Sequence, residues 1–169
     1  RNLQEMVQEA KSGKYNYGTA GAGTTPHLTA EYLFKVLAKV DVTHVPFQGA
    51  GPALVATVGG QVEMASVALP AAVEMVKGGK VRGLAVTSAK RIAAMPDVPT
   101  VAESGFPGFD VDTWVGVFSP AKTSPEIVRY LNTEINKILK TSEFQARLAG
   151  VGFEAVGGSP QEASDYLKT

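Results

Sequence analysis

One short run carries most of the chemical potential in this sequence: Tyr17-Gly-Thr-Ala-Gly-Ala-Gly-Thr-Thr-Pro-His-Leu28. Its glycines, alanines and threonines offer backbone N–H groups and hydroxyls with almost no side-chain bulk, which suits an anion. A phosphate loop of the form Gly-x-x-x-x-Gly-Lys-Ser/Thr would use Gly18 and Gly23, but Thr24 stands where the lysine belongs. A dinucleotide loop, Gly-x-Gly-x-x-Gly, would use Gly21 and Gly23, but Pro26 replaces its third glycine. A carboxylate asks only for a few N–H and hydroxyl donors. The alternative is a plain tight turn from strand to helix.

Other reactive types offer less. His27 would lie in a first helical turn, where the dipole disfavours an imidazolium, so it is expected to be neutral. It reads as a hydrogen-bonded structural histidine or a ligand contact, and His44 as a packed residue of a strand. The two histidines lack metal-ligand spacing, so no metal and no cofactor is expected. Ser66 and Ser88 have no Gly-x-Ser-x-Gly setting. With no general base or nucleophile in view, the chain is not expected to be an enzyme.

The elements that would position the loop follow from periodicity. A strand is expected over Tyr15–Thr19, a loop over Ala20–Thr25, then a helix with Thr25 as N-cap and Pro26 at N1. Ala30, Leu33, Phe34 and Leu37 fall on one face of that helix. Before the loop, Leu3, Met6, Val7 and Ala10 mark a helix over Leu3–Lys11, stopped near Gly13. After it, strands are expected over Val42–Phe47, Val62–Val67 and Val81–Thr87. Helices from Pro52 and from Pro70 separate them, each ended by a Gly-Gly pair. Such alternation argues for a mostly parallel sheet flanked by helices, with ligands beyond the carboxyl ends of the strands. The loops at Phe47-Gln48-Gly49 and Ala68-Leu69-Pro70 would share that end.

From Ala93 to Gly108 prolines and glycines accumulate around a short expected helix, Thr100–Ser104. An alternating strand is expected over Val111–Phe118. Helices are expected from Ser124 to about Lys140, over Glu143–Leu148, and from Pro160. The division falls into two parts, 1–112 and 113–169.

Composition sets the outer limits. The chain has 169 residues, 44% of them apolar and 19% charged, as in an ordinary globular protein. Sixteen basic residues balance sixteen acidic ones, leaving no field to recruit nucleic acid. No apolar run reaches membrane-spanning length. There is no cysteine, hence no disulfide. The chain starts at Arg1 without a methionine or a signal peptide, so processing or trimming is expected.

Several motifs in order resemble a known family, the extracytoplasmic solute receptors of tripartite tricarboxylate transporters, or Bug receptors. They are the central run to Leu28, Thr43-His-Val-Pro-Phe-Gln-Gly49, Gly59-Gly-Gln-Val62, Gly79-Lys-Val-Arg-Gly-Leu-Ala-Val-Thr-Ser-Ala-Lys-Arg91, Pro96-Asp-Val-Pro-Thr-Val-Ala-Glu-Ser-Gly105 and Asn132-x-Glu134-Ile-x-Lys137. The resemblance implies an α/β, type II periplasmic-binding-protein-like lobe over 1–112. It also implies a crossover strand and C-terminal helices over 113–169 that belong to the other lobe, whose N-terminal part is absent.

It implies ligand donors at Thr19, Gly21, Ala22, Gly23, Thr24 and Thr25, with His27 and Val67 beside them. Relatives often carry Asp-Asn where this chain has Val67-Ala68. The implied ligand is a small organic acid or amino-acid carboxylate, and the implied partners are the membrane permease subunits of the transporter. The implied place is the periplasm. Self-association through the exposed C-terminal helix is expected. Two other classes stay open: an enzyme with an anion loop, and the effector-sensing domain of a transcription regulator. No helix-turn-helix or basic stripe supports the regulator.

Overall fold

The structure is a computed structural model that describes residues 2–168. Contacts divide the chain into two compact units, the first running through Thr113 and the second starting at Trp114.

The first unit is built on three parallel strands. The central one, β1 (Tyr15–Thr19), pairs on one side with β2 (Val42–Pro46), in a register that sets Tyr15 opposite Val42 and Thr19 opposite Pro46. On its other side lies β3 (Met64–Ala65), with Tyr17 opposite Met64. The order is β2-β1-β3. Four helices accompany these strands: α1 (Leu3–Ala10), α2 (Thr25–Glu31), α3 (Ala50–Val58) and α4 (Leu69–Lys77). The helix that begins as α2 widens without a break into π-helical turns over Tyr32–Leu37.

Burial holds this unit together. Leu3, Met6, Val7 and Ala10 of α1 are all buried, as their spacing requires. They join Tyr17, Ala30, Leu33, Phe34, Val40, Val42, Met64, Val101 and Phe109 in one core. Each fully buried large aliphatic side chain contributes about 1.5–3 kcal/mol. Tyr17 sits at the centre, wholly enclosed, with its ring 5.6 Å from that of Phe34 in an edge-on packing.

Several sequence expectations need correction. α2 is capped one residue early, at Thr24, because that residue keeps extended backbone and its carbonyl takes the first helical bond, from Leu28. Leu37 is 37% exposed, not part of the buried face. The π turns, in which Ala38 bonds back to Leu33, rotate it away from the core. α3 starts at Ala50, two residues before Pro52, because Gly49 takes the cap with a φ of 129°. The strand expected over Val62–Val67 shrinks to Met64–Ala65. Val81–Thr87 forms no strand beyond one parallel bridge between Val86 and Thr100. There the Val86 N–H goes to Pro99 and the Val86 carbonyl accepts from Val101, so a loop takes the place of a ladder. Thr100–Ser104 is a turn. Its Thr100 hydroxyl accepts from the Glu103 N–H, and the Glu103 carboxylate accepts from the Thr100 N–H. Val111–Phe118 forms no strand: the Val111 N–H donates to the Thr87 carbonyl, but no ladder follows, and Trp114, Val115, Val117 and Phe118 are exposed.

The second unit contains α5 (Pro125–Leu139), α6 (Ser142–Gly150) and α7 (Pro160–Tyr166). Each start is capped by a side chain that accepts a first-turn N–H: Ser124, Thr141 and Ser159. Ser159 and Glu162 complete a reciprocal capping box. None of the three helices buries a residue. Among the described residues no helix is long and apolar enough to cross a membrane.

Candidate functional site

All three strands end on the same side, and three loops leave them there: 20–24, 47–49 and 66–68. Two further contacts gather them. The Ser66 hydroxyl donates to the carbonyl of Pro26 at 2.8 Å, fixing the third loop to the start of α2. The Phe47 N–H donates to the Thr19 carbonyl, continuing the β1–β2 ladder to the edge of the first loop. Gly18 is required beneath it, since a Cβ there would stand 2.9 Å from the Phe47 ring.

The central loop depends on glycine for its shape. Gly21 and Gly23 have φ of 138° and 78°, a region that side chains disfavour. A Cβ on Gly23 would meet nothing within 4 Å, so the loop opens there onto free space.

The loop spends part of its hydrogen-bonding capacity on itself. The Gly21 N–H donates to the Thr19 hydroxyl oxygen at 3.2 Å, and the Thr24 hydroxyl donates to the Gly21 carbonyl at 2.8 Å. The Gly23 N–H donates to Nδ1 of His27 at 3.1 Å. Because the Thr24 side chain turns back in this way, α2 has no side-chain cap. Among the described residues the N–H groups of Ala22, Thr24, Thr25 and His27, and the Thr25 hydroxyl, have no hydrogen-bond partner. Ala22 and Thr25 are exposed. These are donors only or donors foremost, held at a helix start, and they suit an oxyanion of modest charge.

Behind the loop lies a polar cluster. The His27 and His44 rings are 4.0 Å apart, and His44 lies 5.1 Å from the Tyr17 ring. Nε2 of His44 meets the buried Thr19 hydroxyl at 2.7 Å. The Tyr17 hydroxyl donates to Glu31, which also pairs with Lys35 at 2.8 Å. Burial pushes the His44 imidazole below its usual value, and the neighbouring His27 pushes the same way. Burial raises the Tyr17 phenol, and the Glu31 carboxylate raises it further. Burial opposes ionisation of Glu31, but the hydrogen bonds from Lys35 and Tyr17 outweigh it and hold the carboxyl below the ordinary range. Among the described residues no group of three or more His, Asp or Glu could hold a metal ion.

Of the residues expected from sequence, Thr19, Gly21, Ala22, Gly23, Thr24, Thr25 and His27 belong to this one loop and its supports. Thr19 is buried beneath it, and Gly21 and Gly23 have their amides engaged. Val67 is half-buried in the adjoining loop, next to Ser66. Ser66, His44, Tyr17 and Glu31 carried no ligand expectation. The place of His44 beside Tyr17 follows from the parallel register of β1 and β2, which the sequence does not state. Ser66 gave no signal either, because its partner is a backbone carbonyl 40 residues away in sequence.

Comparison with known proteins adds a second line of evidence. The family model described as tripartite tricarboxylate transporter family receptor matches residues 1–169. Among solved structures, the chain resembles R. palustris Rpa4515 with adipate at 33% identity and a TM-score of 0.90, covering 99% of this chain and 56% of that one. It resembles MatC (Rpa3494) from Rhodopseudomonas palustris with bound malate at 33% identity and a TM-score of 0.76, covering 96% and 55%. It resembles the periplasmic binding protein BugD at 28% identity and a TM-score of 0.87, covering 99% and 57%. The fold is therefore the α/β, parallel-sheet fold of periplasmic binding proteins. Among curated relatives, a protein from the tcbD-tcbE intergenic region of Pseudomonas sp. (strain P51) is 37% identical over 172 residues. The match takes in all of this chain and 51% of that relative, so the chain spans about half its length.

Proposed function

Since the chain belongs to the tripartite tricarboxylate transporter receptor family, we propose that it serves as a solute receptor, not an enzyme, and holds a small organic carboxylate at the 20–25 loop. The observation that carries this reading is the set of unpartnered donors at Ala22, Thr24, Thr25 and His27. Adipate and malate, the ligands of two structural relatives, are the natural probes. With no lysine or arginine in the loop, nucleotide phosphates are disfavoured relative to mono- and dicarboxylates.

The wider setting is also a proposal. The first unit is one lobe of a two-lobed receptor, and the second unit belongs to the other lobe. The receptor works in the periplasm and hands its ligand to permease subunits in the membrane. Ile127, Tyr130, Leu131 and Ile138 on α5 are exposed, and such a face favours self-association of this chain. Light scattering should show mass rising with concentration; a monomer across a wide range contradicts the association.

A thermal-shift screen of dicarboxylates, amino acids and nucleotides tests the ligand class. At 100 times its dissociation constant a ligand adds about 2.7 kcal/mol of stability. Stabilisation by malate or adipate is expected. Stabilisation by nucleotides alone would remove the carboxylate reading.

A further inference from the structure

The accounting of the loop's amides leaves one arrangement that anion binding by itself does not explain. Gly23 sits in the middle of the loop, where its N–H would be a natural ligand donor. Instead that N–H donates inward, to Nδ1 of His27, at 3.1 Å. A backbone N–H can only donate, so Nδ1 must present a lone pair, and the imidazole proton resides on Nε2. The His27 ring is in turn backed by His44, its ring centre 4.0 Å away and tilted by 33°, whose Nε2 is hydrogen-bonded to Thr19 at the foot of the same loop.

We propose that His27 is the positioning residue of the carboxylate loop: its unprotonated Nδ1 anchors the Gly23 amide and so leaves the amides of Ala22, Thr24, Thr25 and His27 itself as the ligand donors. The inference rests on the carboxylate reading above and sharpens it, because Gly21 and Gly23 become structural glycines and not ligand contacts. The Gly21 amide is taken by Thr19 in the same way that the Gly23 amide is taken by His27.

The arrangement has a sign that distinguishes it from simple charge attraction. Protonating His27 places a hydrogen on Nδ1 and turns the Gly23 contact into two donors facing each other. The loop must then rearrange, although the new positive charge by itself would draw an anion in. The groups facing His27 are His44 from β2, Glu31 one turn along its own helix, and Lys35 beyond Glu31; Tyr17 and Thr19 of β1 reach it through His44. Burial and the neighbouring His27 both disfavour a charge on the His44 ring.

The test needs no ligand in its first arm. The Gly23 amide proton shift is followed by NMR in the full chain while it is acidified from about pH 8 to about pH 6, across the range where imidazoles titrate. It should move together with the His27 ring signals. In His27→Asn the Oδ1 stands where Nδ1 stood and accepts without titrating, so the Gly23 signal should stay in place; in His27→Leu it should be displaced at every pH.

The second arm measures malate and adipate affinity. Wild type should weaken on acidification, His27→Leu should lose about threefold to tenfold, and His27→Asn should recover most of that loss and remain insensitive to pH. A Gly23 signal indifferent to both His27 titration and His27→Leu overturns the proposal. So does tighter carboxylate binding by wild type at the acid end. If Gly23 follows His27 but neither carboxylate binds at any pH, the anchoring of the loop stands and the carboxylate reading fails.

Discussion

The two units support their helices differently. In the first, α2, α3 and α4 start at Thr24, Gly49 and Ala68 without any side-chain cap, while α1 has both a buried face and a cap, the Asn2 side chain accepting from the Glu5 N–H. Burial against the β1-centred core sustains them, through residues such as Leu33, Ala53, Leu54 and Val73. In the second, all three helices are capped by side chains and none has a buried residue. Capping is local and needs no core, whereas burial needs partners from distant parts of the chain. The contrast also explains why the candidate site lies where it does. A helix held by its core can leave its first amides unsatisfied, and α2 does so at the open loop.

The largest effect that follows is a difference between matched truncations. Leu33→Ala, in the core of the first unit, should cost about 2–5 kcal/mol. Leu131→Ala, at a position 44% exposed on α5, should stay within about 0.5 kcal/mol. Chemical denaturation of both variants gives the comparison, and similar losses would erase the distinction between the units.

Next in size is the loss of a cap. Ser159→Ala removes the hydroxyl that accepts from Glu162, together with its half of the capping box, and should cost about 0.5–2 kcal/mol. Amide exchange should localise the damage to α7. Thr24→Ala should leave the exchange rates of α2 nearly unchanged, because the Thr24 hydroxyl bonds within the loop and caps nothing.

The smallest effect is that of pH on the first unit. His44 is held below its usual value, so the unfolded chain binds more protons, and stability falls as pH drops below about 6.5. Glu31 is held below the carboxylate range, so its contribution is full above about 4.3 and is lost as pH falls through its lower folded value. Both act in the same direction. Urea melts of wild type and His44→Gln at about pH 8 and about pH 5.5 should show a smaller acid loss in the variant. An equal loss would assign acid sensitivity elsewhere.

The same division governs what could be read from the sequence. Ser124-Pro125 and Ser159-Pro160 state their helix starts in adjacent residues, and the structure places α5 and α7 there. The apolar spacing of Leu3, Met6, Val7 and Ala10 likewise needs no distant information. The β1 strand, its loop and the following helix were legible for the same reason. Thr24 and Thr25 compete for one cap, however, and the choice turns on a hydrogen bond to Gly21 that sequence does not reveal. Val81–Thr87 and Val111–Phe118 have strand-like residues, but a strand exists only where a neighbour pairs with it. In the candidate site, the loop residues were legible as types. The engagement of the Gly21 and Gly23 amides was not, since it depends on the rotamers of Thr19 and His27.

The most direct measurement of the central claim is an NMR titration of the full chain with malate and with adipate, following backbone amides. The account predicts that the signals of Ala22, Thr24, Thr25 and His27 move most and saturate together. The amides of α5, α6 and α7 should stay in place, and Gly23→Asp should abolish the response more completely than Gly23→Ala, which carries the same backbone strain without the charge. No movement in the 20–25 loop on addition of either carboxylate, or an undiminished response in Gly23→Asp, would contradict it.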